Sequence, residues 1–244
     1  MKQSIFTIIE NKALTRDVYR MVLEGDTSAI TASGQFVNIQ LSGKFLRRPI
    51  SVCDWNETTL TIVYKVVGHG TEQMSRMPVG EKLDILTGLG NGYDLTLAGD
   101  APVLIGGGVG VPPMYGCAKK LVELGIKPSV VLGFNVKDEI FYEEEFKALG
   151  CDVTVTTVDG SYGIKGFVTN ALPDSYTYFY TCGPEPMLKA VYKATSTSGQ
   201  MSFEERMGCG FGACMGCSCK TITGYKRICK EGPVMKKEEI LWES

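Results

Sequence analysis

The stretch GCGFGACMGCSCK, residues 208–220, carries four cysteines in thirteen positions, and Cys229 follows soon after. Thiolates ligate zinc and iron, attack electrophiles and pair as disulfides, so a cluster this dense has four candidate chemistries. Cys209, Cys214 and Cys217 stand as C-x4-C-x2-C, the spacing of the first three ligands of a 2Fe–2S loop, with Cys229 as the fourth. Gly208, Gly210, Gly212 and Gly216 suit such a loop, which needs positive φ values and backbone N–H groups facing sulfur. Structural zinc favours paired C-x2-C knuckles, and one such pair is evident here. Zinc and inert thiols stay open as alternatives, and Cys219 offers a thiol that could replace Cys229.

Other segments have the residue types to hold a nucleotide. GGGVGVPP, residues 106–113, lies between an expected strand and an expected helix, where backbone N–H groups and the helix dipole receive a pyrophosphate. It lacks a third glycine, since Pro113 stands there, and no acid closes the following strand, so a plain tight turn remains an alternative. TCGPEPM, residues 181–187, ends another expected strand at the same sheet edge; Cys182 is otherwise an inert buried thiol. Arg48 before Pro49 offers a guanidinium to a diphosphate, against the plainer reading of a surface charge. Gly70 and Thr71 at a helix start offer a backbone amide and a hydroxyl to the same group. His69, the single histidine, lies between glycines and reads as a loop residue.

The elements that must position these groups fall into two grammars. Up to residue 98 the chain alternates short β-branched runs (SIFTIIENK, VYRMVLEG, QFVNIQLSG, TLTIVYKVV, EKLDILTGLG) with Gly, Asn and Asp, which predicts an antiparallel β-barrel. GTEQMSRMP is its one helical stretch. From 99 to 199 strands alternate with helices, including IFYEEEFKALG and a short helix around GFVTNAL, which predicts an α/β parallel sheet. STSGQMS reads as a hinge into a small cysteine-rich domain, residues 200–244. At 244 residues and 44% hydrophobic composition the chain can bury the cores of such a multi-domain fold. A net charge of -2 with mixed signs gives no footprint for nucleic acid. No apolar run approaches the ~20 residues of a membrane span, and the polar start lacks the apolar core of a secretory signal. With nine cysteines, a cytoplasmic protein with reduced or ligating thiols is expected.

Taken in order, RPIS, GNG at 90–92, GGGVGVPP, CGP and ERMGCGFGACMGC resemble the ferredoxin–NADP reductase superfamily. Within it, they resemble most the electron-transfer subunits of the two-subunit, NAD-linked dihydroorotate dehydrogenases. The resemblance implies FAD lined by Arg48, Pro49, Ile50 and Ser51, with Val63, Tyr64 and Lys65 along the flavin and ribityl chain, and Gly70 and Thr71 at the pyrophosphate. It implies NAD at Gly107, Gly108 and Gly110, with Cys182 and Gly183 flanking the nicotinamide, and a cluster on Cys209, Cys214, Cys217 and Cys229. Ser51 and Cys182 would stand at the reacting rings. It also implies an FMN-containing catalytic partner that oxidises dihydroorotate, assembled as a heterotetramer with the tail at the interface. A related reductase serving a hydrogenase, a sulfite reductase or a ferredoxin is the first rival, and a zinc-binding adaptor is a rival of another class. One departure is the eleven-residue gap before Cys229, shorter than the resemblance leads one to expect, which leaves the hairpin KTITGYKRICKEG, residues 220–232, open.

Overall fold

The computed structural model describes residues 1–242. Six strands form the N-terminal barrel: β1 (Lys2–Ala13), β2 (Val18–Glu24), β3 (Phe36–Ile39), β4 (Arg48–Trp55), β5 (Thr59–Lys65) and β6 (Lys82–Leu89). They close in the order β1-β2-β5-β4-β3-β6 with antiparallel pairing throughout. Alternation decides which residues face inward. Phe6 and Ile8 on β1, Leu60, Ile62 and Tyr64 on β5, and Leu83 and Ile85 on β6 fill the interior. Helix α1 (His69–Ser75) follows β5 and packs Met74 into that core.

The second layer is a seven-stranded sheet. It contains β7 (Val103–Gly107), α2 (Val111–Glu123), β8 (Ser129–Phe134), α3 (Glu143–Ala148), β9 (Asp152–Thr157), β10 (Ile164–Lys165), β11 (Phe179–Cys182), α4 (Glu185–Ala194) and β12 (Gly199–Ser202). The cysteine-rich tail adds a hairpin of β13 (Ser218–Thr221) and β14 (Gly224–Arg227), then β15 (Val234–Lys236). The sheet order is β10-β9-β8-β7-β11-β12-β15, parallel except for β15. Strand order therefore reverses between β7 and β11, and a crevice opens at their carboxyl ends.

Several expectations change. Residues 196–202 do not form a hinge: Gly199–Ser202 pairs with β11 on one side and β15 on the other. The tail is thus sewn into the sheet rather than hung from it. The helix expected over IFYEEEFKALG shrinks to Glu143–Ala148, because Tyr142 before it takes a left-handed φ of 68°. The helix expected around GFVTNAL is a single 3-10 turn, Val168–Asn170.

The two layers are clamped by α2 lying on β4. Lys119 pairs with Asp54 at 2.7 Å, and the Cys53 thiol donates to the Tyr142 hydroxyl at 3.4 Å. A Cβ on Gly116 would sit 2.6 Å from the Cys53 carbonyl oxygen, so helix and strand touch only because that residue is glycine. Burial pushes the Cys53 thiol up to about 12, which leaves it a packing group and not a nucleophile.

Candidate active site and cluster loop

A cavity of about 360 Å³ opens where the barrel, the sheet and the tail meet. Its barrel wall is Arg48, Pro49, Ile50 and Ser51 from β4 and Val63, Tyr64 and Lys65 from β5, with Thr71 from α1. These strands are neighbours in the barrel, so alternating side chains from both reach one face. Arg48 lies across Gly70: a Cβ there would sit 2.9 Å from the guanidinium carbon. Its Nη1 also donates to the Leu46 carbonyl at 2.5 Å, which fixes the charged group at the mouth. Thr71 Oγ1 accepts from the Val67 amide at 3.0 Å and ties the preceding loop to the helix start. Such a rim, one cation with a glycine-bared backbone, fits a diphosphate.

The opposite wall comes from the sheet and tail. Cys182 at the end of β11 lines this cavity together with Ser51, as do Phe203, Glu204, Glu205 and Met207. Glu204 was not foreseen. It is open to the cavity yet deep among protein atoms, and desolvation raises its carboxyl above the ordinary range. Burial likewise pushes the Cys182 thiol well up, with Glu204 adding repulsion, so the sulfur stays a neutral contact surface. His69 is 92% exposed in its side chain and lies outside this cavity.

A second cavity, about 570 Å³, runs along the carboxyl ends of β7, β8 and β9. Gly107 and Gly108 line it, and Lys65 and Val109 line both cavities, so the two communicate. Gly110 lies against the Cys182–Gly183 peptide, where a Cβ would sit 2.6 Å from the Gly183 nitrogen and closer still to the Cys182 carbonyl. Gly183 itself lines neither cavity; it borders a third, about 280 Å³, beside Glu204 and Glu205. Glu139 and Asn135 line the second cavity, so an acid does follow β8, displaced five residues past Phe134.

In the tail, the cysteines make two pairs. The Cys209 and Cys214 side chains are neighbours, and so are those of Cys217 and Cys229. Burial opposes the Cys209 thiolate, but backbone N–H groups of Phe211, Cys214 and Ala213 outweigh it and hold the thiol at about 6. Burial and the Cys217 sulfur push Cys229 up to about 12. The Cys229 amide donates to Cys217 Sγ at 3.4 Å. Positive φ at Gly210 and Gly212 turns these amides inward. Cys219 is apart: it lines the third cavity, with Sγ 4.0 Å from Met235 Sδ. Two thiols for each of two irons is the donor set of a 2Fe–2S group. Among the described residues no three His, Cys, Asp or Glu side chains gather closely enough to hold a single metal ion. The gap before Cys229 is taken up by the β13–β14 hairpin, whose register pairs Ser218 with Arg227 and Thr221 with Gly224.

Anchors fix the tail on the barrel. Asn38 Nδ2 donates to the Cys209 carbonyl at 3.3 Å, and Asn91 of GNG donates to the Val234 carbonyl at 2.7 Å while accepting from its amide at 3.1 Å.

Residues 204–241 match the iron–sulfur cluster binding domain of dihydroorotate dehydrogenase B, and residues 104–193 match an oxidoreductase NAD-binding domain. The chain is 42% identical over 255 residues to the electron transfer subunit of dihydroorotate dehydrogenase B (NAD(+)) from Bacillus pumilus, covering 98% of both. The chain belongs to this family of electron-transfer subunits. The Fusobacterium nucleatum subunit is also 42% identical, over 98% of this chain and 99% of its own length. Among solved structures, a chain of an NADH-dependent reduced ferredoxin–NADP oxidoreductase, studied for flavin-based electron bifurcation, superposes with a TM-score of 0.88 at 30% identity. That match covers 97% of this chain and 90% of the other, so the family fold extends through the cluster loop.

Proposed function

We propose that this chain is the electron-transfer subunit of an NAD-linked dihydroorotate dehydrogenase, passing electrons between a partner subunit and NAD through a 2Fe–2S cluster and FAD. The observation that carries it is the run of joined sites: the Ser51–Cys182 cavity shares Lys65 and Val109 with the β7–β9 cavity, and its lining residue Met207 packs against the hydrophobic cluster that includes Cys217 and Cys229. A flavin exchanges a hydride with nicotinamide and single electrons with an iron–sulfur cluster, so it is the group that such a line requires at its centre.

The chain's own residues bind and orient. Arg48, Gly70 and Thr71 hold the FAD pyrophosphate; Pro49, Ile50, Val63, Tyr64 and Lys65 line the flavin and ribityl chain; Ser51 meets the ring edge. Gly107, Gly108 and Gly110 let the dinucleotide approach the backbone. Cys182 and Gly183 would flank the nicotinamide, with Cys182 offering a neutral thiol and no nucleophile to the flavin cavity. Cys209, Cys214, Cys217 and Cys229 would hold the cluster, which would exchange single electrons. In domain terms, 1–98 binds FAD, 99–199 binds NAD, and 200–244 carries the cluster while lending β12 and β15 to the sheet.

The catalytic partner is an FMN-containing subunit that oxidises dihydroorotate, in a heterotetramer. Phe211 and Met215, 44% and 55% exposed on the cluster loop, support a protein contact there. Nine unpaired thiols support a cytoplasmic setting, and among the described residues no helix is long and apolar enough to cross a membrane.

A second reading is favoured by the similarity to the bifurcating oxidoreductase chain: the same unit serving a different partner. Anaerobic purification with whatever binds the protein separates the two. The first reading requires flavin and iron–sulfur absorbance that bleaches with NADH, FAD released by acid, and a co-purifying FMN protein that oxidises dihydroorotate. An FMN-free partner, inert toward dihydroorotate, would favour the second. A colourless zinc protein would end both.

A further inference from the structure

Strand β3 is buried on both faces. Val37 and Ile39 belong to the barrel interior, while Phe36 and Asn38 turn outward, toward the sheet and the tail. The two outward residues meet different things. Phe36 lines the flavin cavity and belongs to the apolar cluster that includes Cys217 and Cys229. Asn38 stands opposite Pro49, a residue of the flavin cavity wall, in the β3–β4 register. It is 1% exposed, and its Nδ2 donates to the Cys209 carbonyl at 3.3 Å. Gly210 lies against this amide: a Cβ there would sit 3.2 Å from Asn38 Cγ and nearer still to Nδ2. Asn38 Oδ1, equally buried, has no hydrogen-bond partner among the described residues. A buried acceptor left unpaired costs about 1–3 kcal/mol, which an apolar side chain of the same branching would avoid. A polar group here therefore lowers stability, and the bond to Cys209 is the one its side chain makes among the described residues.

We propose that Asn38 is a positioning residue for single-electron exchange, seating the Cys209 side of the cysteine loop on the barrel wall behind the flavin cavity at a cost in fold stability. This rests on the FAD and cluster reading above and adds a residue that belongs to neither set of binding groups. Partners of this outer kind orient a metal site and tune it through hydrogen bonds and dipoles near the ligating sulfur. Asn38 is then the point at which the first domain acts on the redox behaviour of the third.

Two variants of the anaerobic, fully loaded protein test this. Asn38→Leu removes the donor and the unpaired acceptor together and keeps the branched shape. Asn38→Ser keeps a polar group too short to reach Cys209. Three things are read: iron per chain with melting temperature, flavin and cluster bleaching after rapid mixing with NADH, and the cluster midpoint potential by redox titration with paramagnetic resonance. Asn38→Leu should keep its iron, melt at or above the wild-type temperature and bleach flavin at the wild-type rate. Its cluster reduction should fall by about tenfold, the scale of losing an outer partner of a metal site. Its cluster potential should shift downward, because the positive end of the amide dipole no longer faces the Cys209 peptide. Asn38→Ser should show the same slowing and the same shift. Wild-type cluster reduction and potential in either folded variant would overturn the proposal and leave the cofactor reading standing. Flavin and cluster steps slowing together, iron lost, or Asn38→Leu melting below wild type would overturn it too, since Asn38 would then serve the fold or the ligation. A wild-type protein without flavin and iron–sulfur absorbance would end the reading beneath it.

Discussion

Replacing Gly110 with alanine adds one methyl where the phosphate turn meets the end of β11. The new carbon would lie 2.6 Å from the Gly183 nitrogen and nearer still to the Cys182 carbonyl, whereas real Cβ atoms essentially never come within 3.0 Å of a neighbour. All three obstructing atoms belong to backbone, so no side-chain rotation relieves the clash. The turn and the Cys182–Gly183 peptide must separate by nearly an ångström at the carbonyl oxygen, and overpacking of this kind costs about 1–3 kcal/mol. The separation falls between the segment proposed to receive the dinucleotide and the thiol proposed to flank its reacting ring. A displacement approaching 1 Å in such a geometry lowers rate by about 10²-fold. Rapid mixing with NADH, following flavin bleaching, should show that loss, and the urea midpoint should fall. Gly125→Ala separates strain from site geometry: Gly125 has φ +80° with nothing within 4 Å of its added carbon. That variant should lose about 1 kcal/mol of stability and keep the wild-type reduction rate. Flavin reduction in Gly110→Ala within about threefold of wild type would refute the reasoning.

Gly70→Ala should displace Arg48, whose flexible side chain yields, so thermal stability should move little while FAD affinity falls by about tenfold in a fluorescence titration. Cys214→Ser breaks the Cys209–Cys214 pair and should abolish the iron–sulfur signal in electron paramagnetic resonance, with NADH still bleaching the flavin; loss of bleaching would contradict the division of labour. Glu10 accepts two hydrogen bonds from Arg20, at 2.7 and 3.0 Å, and the guanidinium holds its carboxyl below the ordinary range. Its contribution is complete above the unfolded carboxyl pKa, near ~4.3, and fades as pH falls through the depressed folded value. Glu10→Gln should therefore cost stability at pH 7, by less than about 1 kcal/mol at this third-exposed pair, and the gap in melting temperature should close in acid.

The sequence announced the site better than the architecture around it. C-x4-C-x2-C is a local pattern whose chemistry is set within nine residues, so Cys209, Cys214 and Cys217 could be picked without a fold. RPIS and CGP were legible as motifs, but only the barrel and the sheet put Ser51 and Cys182 on one cavity. Glu204 and Glu139 carry no local mark. Each is one acid among several in its segment, and tertiary packing alone turns it toward a cavity. Strands β12 and β15 were missed for a related reason. Each is only three or four residues long, and their pairing spans more than thirty positions, beyond the reach of periodicity. The shortened α3 reflects a single backbone angle at Tyr142, a residue type that seldom adopts it.

The closure of β15 onto β12 makes the cluster loop a span pinned at both ends, not a swinging arm. Electron tunnelling depends steeply on the gap between donor and acceptor. Asn38 on the barrel side and two sheet strands on the other would hold such a gap constant for a cluster bound here. With a cluster on these cysteines and FAD in the Ser51–Cys182 cavity, electron transfer would need no excursion of the cysteine segment toward the flavin.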